Sequence, residues 1–292
     1  MRKVKVAAVQ MNCVKNRGQN IDKAEKLVRE AAAEGAQIVL LPELFENLYF
    51  CQEKRYDHYQ LAEAAEENAA IRRLAPVAKE LGVVLPVSFY ERDGNVLYNS
   101  VAVLDADGRN LGVYRKTHIP DDHFYQEKFY FTPGNTGFKV FDTAYGRIGI
   151  GICWDQWFPE TARCLALEGA ELLFYPTAIG SEPILECDSM PHWRRCMQGH
   201  AAANVVPVIA ANRYGEERVT PCAENNGQTS ALIFYGSSFA TDETGEVIAQ
   251  ADRAGDTVLV AEYDLDAIRD MRLSWGLFRD RREECYSRIA GR

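Results

Sequence analysis

Short, almost unbroken apolar runs recur along the chain and predict strands at residues 4–9, 38–41, 83–89, 101–104, 148–153, 171–175, 205–210 and 257–263. Runs this continuously apolar suit strands buried on both faces. Between several of them the apolar positions change to helical spacing, over residues 20–34, 66–81, 158–168 and 191–203. The first helix runs into Ala-Glu-Gly35 and the second into Leu-Gly82, where glycine permits the left-handed residue that stops a helix. Asp-Ala-Asp-Gly108 and Asp-Glu-Thr-Gly245 have the residue types of tight hairpin turns. The pattern is that of a layered α/β protein with mixed sheets.

No Pro/Gly/Ser-rich or charged segment divides the 292 residues, so residues 1–292 read as one domain. The texture changes only in the tail from residue 274 to 292, which carries Trp275, Phe278 and a run of arginines. Trp and Arg are favoured interface anchors, so the tail is expected to pack on a partner surface or to dock on its own subunit. The composition, 47% hydrophobic and 26% charged, is that of a globular chain with an ample core. With 33 Lys+Arg against 42 Asp+Glu the net charge is −9, which argues against a surface that tracks phosphates, so no nucleic acid is expected as partner. The apolar run at the N-terminus is too short for a signal-peptide core, and no stretch approaches the roughly 20 apolar residues of a membrane span. The eight cysteines form no Cys-x-x-Cys, which fits reduced thiols in a cytoplasmic protein.

Three reactive side chains share one kind of address. Leu41-Pro-Glu43 sets a carboxylate just past a buried strand, Tyr114-Arg-Lys116 an ammonium at the end of another, and Gly151-Ile-Cys153 a thiol at the end of a third. In open α/β sheets ligands collect at the carboxyl ends of strands, so Glu43, Lys116 and Cys153 can meet there despite their separation in sequence. Each alone has an ordinary reading: a loop carboxylate, a solvated lysine, a small buried thiol. Together they are the parts of a nucleophilic site. A thiol needs a base near neutral pH, a carboxylate held close can take its proton, and an ammonium can face the resulting oxyanion. A second carboxylate, Glu127, either pairs with its neighbour Lys128 or holds Lys116 or the substrate; spacing alone does not decide.

These residues and their surroundings resemble the nitrilase superfamily of carbon–nitrogen hydrolases over nearly the whole chain. The likeness rests on Leu41-Pro-Glu-Leu-Phe45, on Tyr114-Arg-Lys-Thr-His-Ile-Pro-Asp121 with Gln126-Glu-Lys-Phe-Tyr-Phe-Thr-Pro-Gly134, and on Gly149-Ile-Gly-Ile-Cys-Trp-Asp-Gln-Trp-Phe-Pro-Glu160. The resemblance implies a four-layer αββα sandwich. It assigns Glu43 as general base, Lys116 as stabiliser of the intermediate, Cys153 as nucleophile and Glu127 as the glutamate that positions the lysine. It further implies a homo-oligomer, which would give the tail its partner, and no metal or organic cofactor. Tyr175-Pro-Thr-Ala-Ile-Gly-Ser-Glu-Pro183, His192-Trp-Arg-Arg-Cys-Met-Gln-Gly-His200 and Ser274-Trp-Gly-Leu-Phe-Arg-Asp-Arg281 extend the likeness to members that cleave a carbamoylated diamine.

Charge argues the same way. Relatives that hydrolyse carbamoylated amino acids carry arginines just after the cysteine; here the positions read Asp155-Gln156. An acidic site disfavours a carboxylate and pairs with an ammonium. Asp155 and Glu182 are therefore the expected partners of a distal substrate amine, with Asp155 alternatively capping the helix near Phe158. The backbone N–H of Trp154 is expected to join Lys116 at the oxyanion. The rival within the superfamily is an ω-amidase or β-ureidopropionase-like enzyme with a carboxylate subsite. Outside it stands a non-catalytic binding protein on the same fold. Cys187, His192, Cys196 and His200 have zinc-like spacing, but one straight helix cannot wrap a tetrahedron with three of its own residues. His118 or His200 could also serve Cys153 as a Cys–His pair.

Overall fold

The computed structural model describes residues 1–181 and 187–291. The first sheet contains β1 (Lys3–Gln10), β2 (Ile38–Leu40), β3 (Leu85–Asp93), β4 (Val96–Leu104), β5 (Asn110–Arg115) and β14 (Thr257–Asp264). Its order is β14-β1-β2 followed by β3-β4-β5. The two halves are joined where Val39 N donates to Val84 O (2.9 Å) and Val84 N to Gln37 O (2.8 Å). The second sheet contains β6 (Val140–Thr143), β7 (Gly146–Ile150), β8 (Leu172–Thr177), β9 (Val208–Asn212), β12 (Phe239–Thr241) and β13 (Val247–Gln250), in the order β13-β12-β9-β8-β7-β6.

Alternation along the strands builds three apolar layers. In β1, Val4, Val6 and Ala8 turn toward the other sheet and meet Ile148, Ile150, Leu172, Phe174 and Ile209. Ala7 and Val9 turn outward beneath α1 (Arg17–Ala33) and α2 (Ala69–Leu81). On the far side, Leu173, Tyr175, Val208 and Ala210 lie beneath α3 (Pro159–Leu167) and α4 (Met190–Asn204). The result is helices, sheet, sheet, helices: the expected αββα sandwich. Strands covered on both faces explain why their sequences are apolar without alternation.

The helices start and stop for local reasons. Asn16 and Asn68 accept N-terminal amides of α1 and α2 through their side chains, and α2 ends at left-handed Gly82. Both predicted tight turns link paired strands, β4 to β5 and β12 to β13. One segment differs from expectation. Residues 218–230, whose polar sequence predicts only a loop, include parts of a paired ribbon, β10 (Tyr214–Val219) against β11 (Ser230–Tyr235). In β10 the buried position, Glu217, is charged like the exposed Glu216 and Arg218 beside it, and in β11 the exposed position is the apolar Ile233, so the alternation that marks a strand is hidden. The tail follows α5 (Leu265–Trp275) and docks in part: Phe278 packs against the α3/α4 core with Arg163 over its ring (5.1 Å). Trp275 stays 65% exposed. No helix among the described residues is long and apolar enough to cross a membrane.

β1 and β2 run parallel, as do β7, β8 and β9, and β5 points the same way as β3 through two antiparallel steps. The carboxyl ends of β2 and β5 thus share one rim. That rim meets the second sheet where Glu43 N donates to Thr177 O at the end of β8 (3.4 Å). Gly134 keeps the exit of β5 in place: its N–H donates to Lys116 O (2.8 Å), and a Cβ there would stand 2.1 Å from Arg115 O. Gly134→Ala is therefore expected to cost about 1–3 kcal/mol, the usual range for forcing atoms into a packed site. A urea unfolding midpoint equal to that of the parent protein would show that the backbone there has room to give.

Candidate active site

Lys116 follows β5 directly, and the alternation of the strand sends it inward while Arg115 turns outward to pair with Glu91 (2.6 Å) and Asp93 (2.7 Å). Lys116 is wholly buried, so its charge needs partners. It has two: Nζ lies 2.9 Å from Glu43 Oε1 and 2.6 Å from Glu127 Oε2. Burial alone would lower the lysine pKa; the Glu127 and Glu43 carboxylates outweigh it and hold the ammonium well above its ordinary range. Glu127 sits in the short 3-10 turn Glu127–Phe129, also fully buried. Its other oxygen, Oε1, accepts the Tyr49 hydroxyl (2.6 Å). Burial pushes the Glu127 carboxyl up to about 7, opposed by Lys116 and reinforced by Glu43.

Glu43 is held differently. Its Oε1 accepts from both Lys116 and Asn99 Nδ2 (2.7 Å), while Oε2 is buried with no hydrogen-bond partner among the described residues. The turn that carries it is fixed from several strands. Leu44 N donates to Ser88 Oγ (2.9 Å), and the buried Arg213 donates to Glu43 O (2.7 Å) and Leu44 O (3.0 Å). Leu44 itself has φ of 48°, a left-handed conformation rare for a branched residue, which these bonds hold in place.

Cys153 opens the 3-10 turn Cys153–Trp157 just beyond β7, with φ of 41° and a thiol 3.7 Å from Ala178 O. Burial raises its pKa well above the ordinary value, Glu43 and Glu127 add to the shift, and Lys116 opposes it. The thiol therefore rests protonated within the electrostatic reach of the Glu43, Glu127 and Lys116 charges. Ala178 is fixed in turn through Ile179, whose N–H and C=O both bond the Asn212 side chain (3.0 and 2.9 Å).

Asp155 differs from the sequence expectation. It is buried, and both oxygens are engaged within the protein. Oδ2 accepts from Tyr114 OH (2.7 Å) and Ile152 N (2.9 Å); Oδ1 accepts from His118 N (2.9 Å) and lies 2.7 Å from His118 Nδ1. With its oxygens so used, it ties the cysteine turn to the exit of β5 instead of waiting for a substrate amine. Gln156 is likewise occupied, its Oε1 accepting from Thr177 Oγ1 (3.0 Å) and Trp193 Nε1 (2.7 Å). Glu182, the second expected amine partner, lies outside the described residues. Trp154 is 40% exposed at the turn and edge-on to Trp157.

The histidines are committed elsewhere: His118 stacks on Phe158 (3.7 Å between centroids), and His200 Nε2 lies 2.6 Å from Gln156 O. Among the described residues no group of three or more His, Cys, Asp or Glu side chains could hold a metal ion. Sequence reasoning missed Tyr49, Asn99, Arg213 and Glu217. The Asn212-Arg213 pair at the end of an apolar strand was the one signal available, since polar residues there interrupt the run as Glu43 and Lys116 do.

Comparison with known proteins agrees with this geometry. The sequence profile of the family described as Carbon-nitrogen hydrolase matches residues 5–273. N-carbamoylputrescine amidase of Arabidopsis thaliana is 54% identical, over 98% of this chain and 94% of that protein. Citrullinase of Francisella tularensis is 52% identical over 99% of both chains. The crystal structure of a carbon-nitrogen hydrolase from Helicobacter pylori superposes with a TM-score of 0.90 at 37% identity, covering 99% of each chain. With most of its length matched by the family profile and its rim holding Glu43, Lys116, Glu127 and Cys153 together, this chain belongs to the carbon–nitrogen hydrolase family, the nitrilase superfamily.

Proposed function

We propose that the protein hydrolyses the ureido group of N-carbamoylputrescine to putrescine, ammonia and CO2. The observation that carries this reading is the buried Lys116 bound between two carboxylates beside a protonated Cys153 thiol, in a chain 54% identical to an N-carbamoylputrescine amidase. Glu43 Oε2 takes the thiol proton as Cys153 Sγ bonds to the ureido carbon. Lys116 and the Trp154 N–H face the oxyanion. The C–N bond to the terminal amino group breaks, ammonia leaves with the proton from Glu43, and a carbamoyl thioester remains. Glu43 then takes a proton from water, the oxygen attacks the thioester carbon, and the thiol is restored. The released carbamic acid loses CO2 to give the free amine. Glu127 holds Lys116 throughout. No step calls for a metal or an organic cofactor.

Of the two acidic residues expected from the sequence to meet the distal ammonium, Asp155 is spent within the fold, and Glu182 remains the proposed partner. Citrulline is the second reading, favoured by the 52% identity to a citrullinase; it carries the same terminal ureido group on a chain that ends in both an amine and a carboxylate. The protein is further proposed to work as a homo-oligomer in which the exposed Trp275 and Ile289 of the tail face a second copy.

Ammonia release from N-carbamoylputrescine, citrulline and N-carbamoyl-β-alanine tests these readings. The first substrate is expected to be turned over fastest, with all turnover lost in Cys153→Ala. Preference for citrulline would move the assignment to the second reading, and preference for the carboxylated β-alanine derivative would end the ammonium subsite. Glu43→Gln is expected to lower kcat by about 10²–10⁴, the usual contribution of a positioned base, with a smaller effect on KM. The pH profile has a set direction. Because burial lifts Glu127 to about 7, kcat/KM is expected to fall as pH drops through that region and the carboxylate pair gains a proton. Lys116, held above its ordinary range, should cause no loss on the alkaline side up to that range. A flat profile from pH 5 to 8 would contradict the assignment.

A further inference from the structure

The two glutamates on Lys116 are chemically alike, equally buried and bound to the same ammonium, yet the proposed reaction uses only one as base. We infer that Tyr49 assigns their roles: by occupying the second oxygen of Glu127 it leaves Glu43 Oε2 as the only unfilled carboxylate oxygen in the cluster, and so makes Glu43 the base and Glu127 the holder of the lysine. This rests on the amidase reading of the site and deepens it.

The geometry is asymmetric. At Glu127, Oε2 accepts Lys116 (2.6 Å) and Oε1 accepts the Tyr49 hydroxyl (2.6 Å). At Glu43 both donors, Lys116 and Asn99, converge on Oε1, and Oε2 has no partner among the described residues. A proton arriving from the thiol therefore meets at Glu43 Oε2 an oxygen that accepts no hydrogen bond, whereas each oxygen of Glu127 already accepts one, which makes it the weaker base. Tyr49 is a dependable donor, since burial, the Glu127 charge and neighbouring acidic groups hold its hydroxyl well above the ordinary phenol range. The groups facing Glu127 are Lys116, Glu43, Tyr49, Cys51 and Cys153. Of these Lys116 and Tyr49 donate to it.

Tyr49 does not float in this position. Its backbone N–H donates to Glu217 Oε2 (2.5 Å), whose Oε1 accepts Arg213 Nη1 (2.8 Å). Arg213 is the same guanidinium that bonds Glu43 O and Leu44 O. One fully buried arginine thus sets the backbone that carries the base and, through Glu217, the backbone of the tyrosine that occupies the other carboxylate. Glu217 belongs to β10, so the β10–β11 ribbon reaches the reacting atoms through this connection. The Gln52 side chain donates to Glu217 O in β10 (3.1 Å), and its carbonyl accepts Gln228 Nε2 from the loop before β11 (2.6 Å), which fixes the ribbon to the turn after Tyr49. Tyr49 is accordingly a positioning residue that touches the tetrad without touching substrate.

The test compares Tyr49→Phe with Tyr130→Phe. Both remove one buried hydroxyl, but Tyr130 OH donates to Glu53 O (2.7 Å), away from the cluster. Two readouts are followed: the pH profile of kcat/KM for ammonia release from N-carbamoylputrescine, and the pH dependence of Cys153 alkylation by iodoacetamide, read on the Cys153 peptide by mass spectrometry. Losing a hydrogen bond to a carboxylate raises its pKa, so in Tyr49→Phe the proton settles on Glu127 at higher pH. The acidic limb should move up, and kcat should fall about tenfold or more with KM little changed. The alkylation profile should be displaced, because less negative charge then surrounds the thiol. Tyr130→Phe should leave both midpoints in place. A Tyr49→Phe protein whose midpoints coincide with the parent's, with or without a uniform loss of rate, overturns the inference. Absence of ammonia release by the parent protein would sink the substrate reading alone, and the alkylation profiles would still decide the role of Tyr49.

Discussion

An ammonium taken out of water costs several kcal/mol unless opposite charge is held against it. At Lys116 that requirement organises the centre of the molecule. Two carboxylates approach from different segments, the turn after β2 and the loop after β5, and neither is solvated. Three buried charges amount to one net negative charge that must itself be stabilised, and it is: by Asn99 at Glu43, by Tyr49 at Glu127, and by the nearby Arg213. Such a cluster is weak as a source of stability, since apolar residues of similar volume would serve the fold as well. Its value lies in chemistry, where a dry site makes each charge count for more.

Around this centre lies a layer of residues whose task is direction. Asp155 uses its carboxylate to join the cysteine turn to Tyr114 and His118 on either side of Lys116, so nucleophile and ammonium are placed by one side chain. Asn212 does the same for the loop that the thiol faces. Both are polar groups buried inside a sandwich, and they are tolerated because their hydrogen bonds are made. The strained backbone at Leu44 and Cys153 belongs here too. Left-handed conformations of such residues persist when the surroundings over-determine them, and here they occur at Cys153 itself and at the residue that follows Glu43.

Much of this was legible from the sequence, for a physical reason. Strands buried on both faces announce themselves as apolar runs, so a Glu, a Lys or a Cys at the end of one stands out against its background. That contrast located Glu43, Lys116 and Cys153, and the sandwich followed from the same runs together with the family resemblance. What did not show was direction. Whether Asp155 faces a substrate or its own backbone depends on the dihedral angles of a five-residue turn, and a carboxylate after a nucleophile reads alike in both cases. The partner of Glu127 was ambiguous because its true partner Lys116 lies eleven residues away, whereas Lys128 is its neighbour in sequence. The β10–β11 ribbon escaped notice because Glu217, on the buried side of β10, is charged like its exposed neighbours, and Ile233, on the exposed side of β11, is apolar. Tyr49 and Arg213, ordinary residues in an aromatic stretch and a strand end, acquire meaning only through contacts of more than seventy positions' separation.

The division of the site between the two sheets has a mechanical side. Glu43 and Lys116 ride on one sheet and Cys153 on the other, so the gap that the thiol proton would cross in the proposed reaction depends on the thickness of the apolar layer between them. Val101, Val103, Ile148, Ile150 and Phe174 act, in this sense, as the spacers of a gauge. Close-packed interiors transmit small changes of volume over their whole extent. The distance between the proposed nucleophile and its proposed base is thus written in the methylene groups of the core between the sheets.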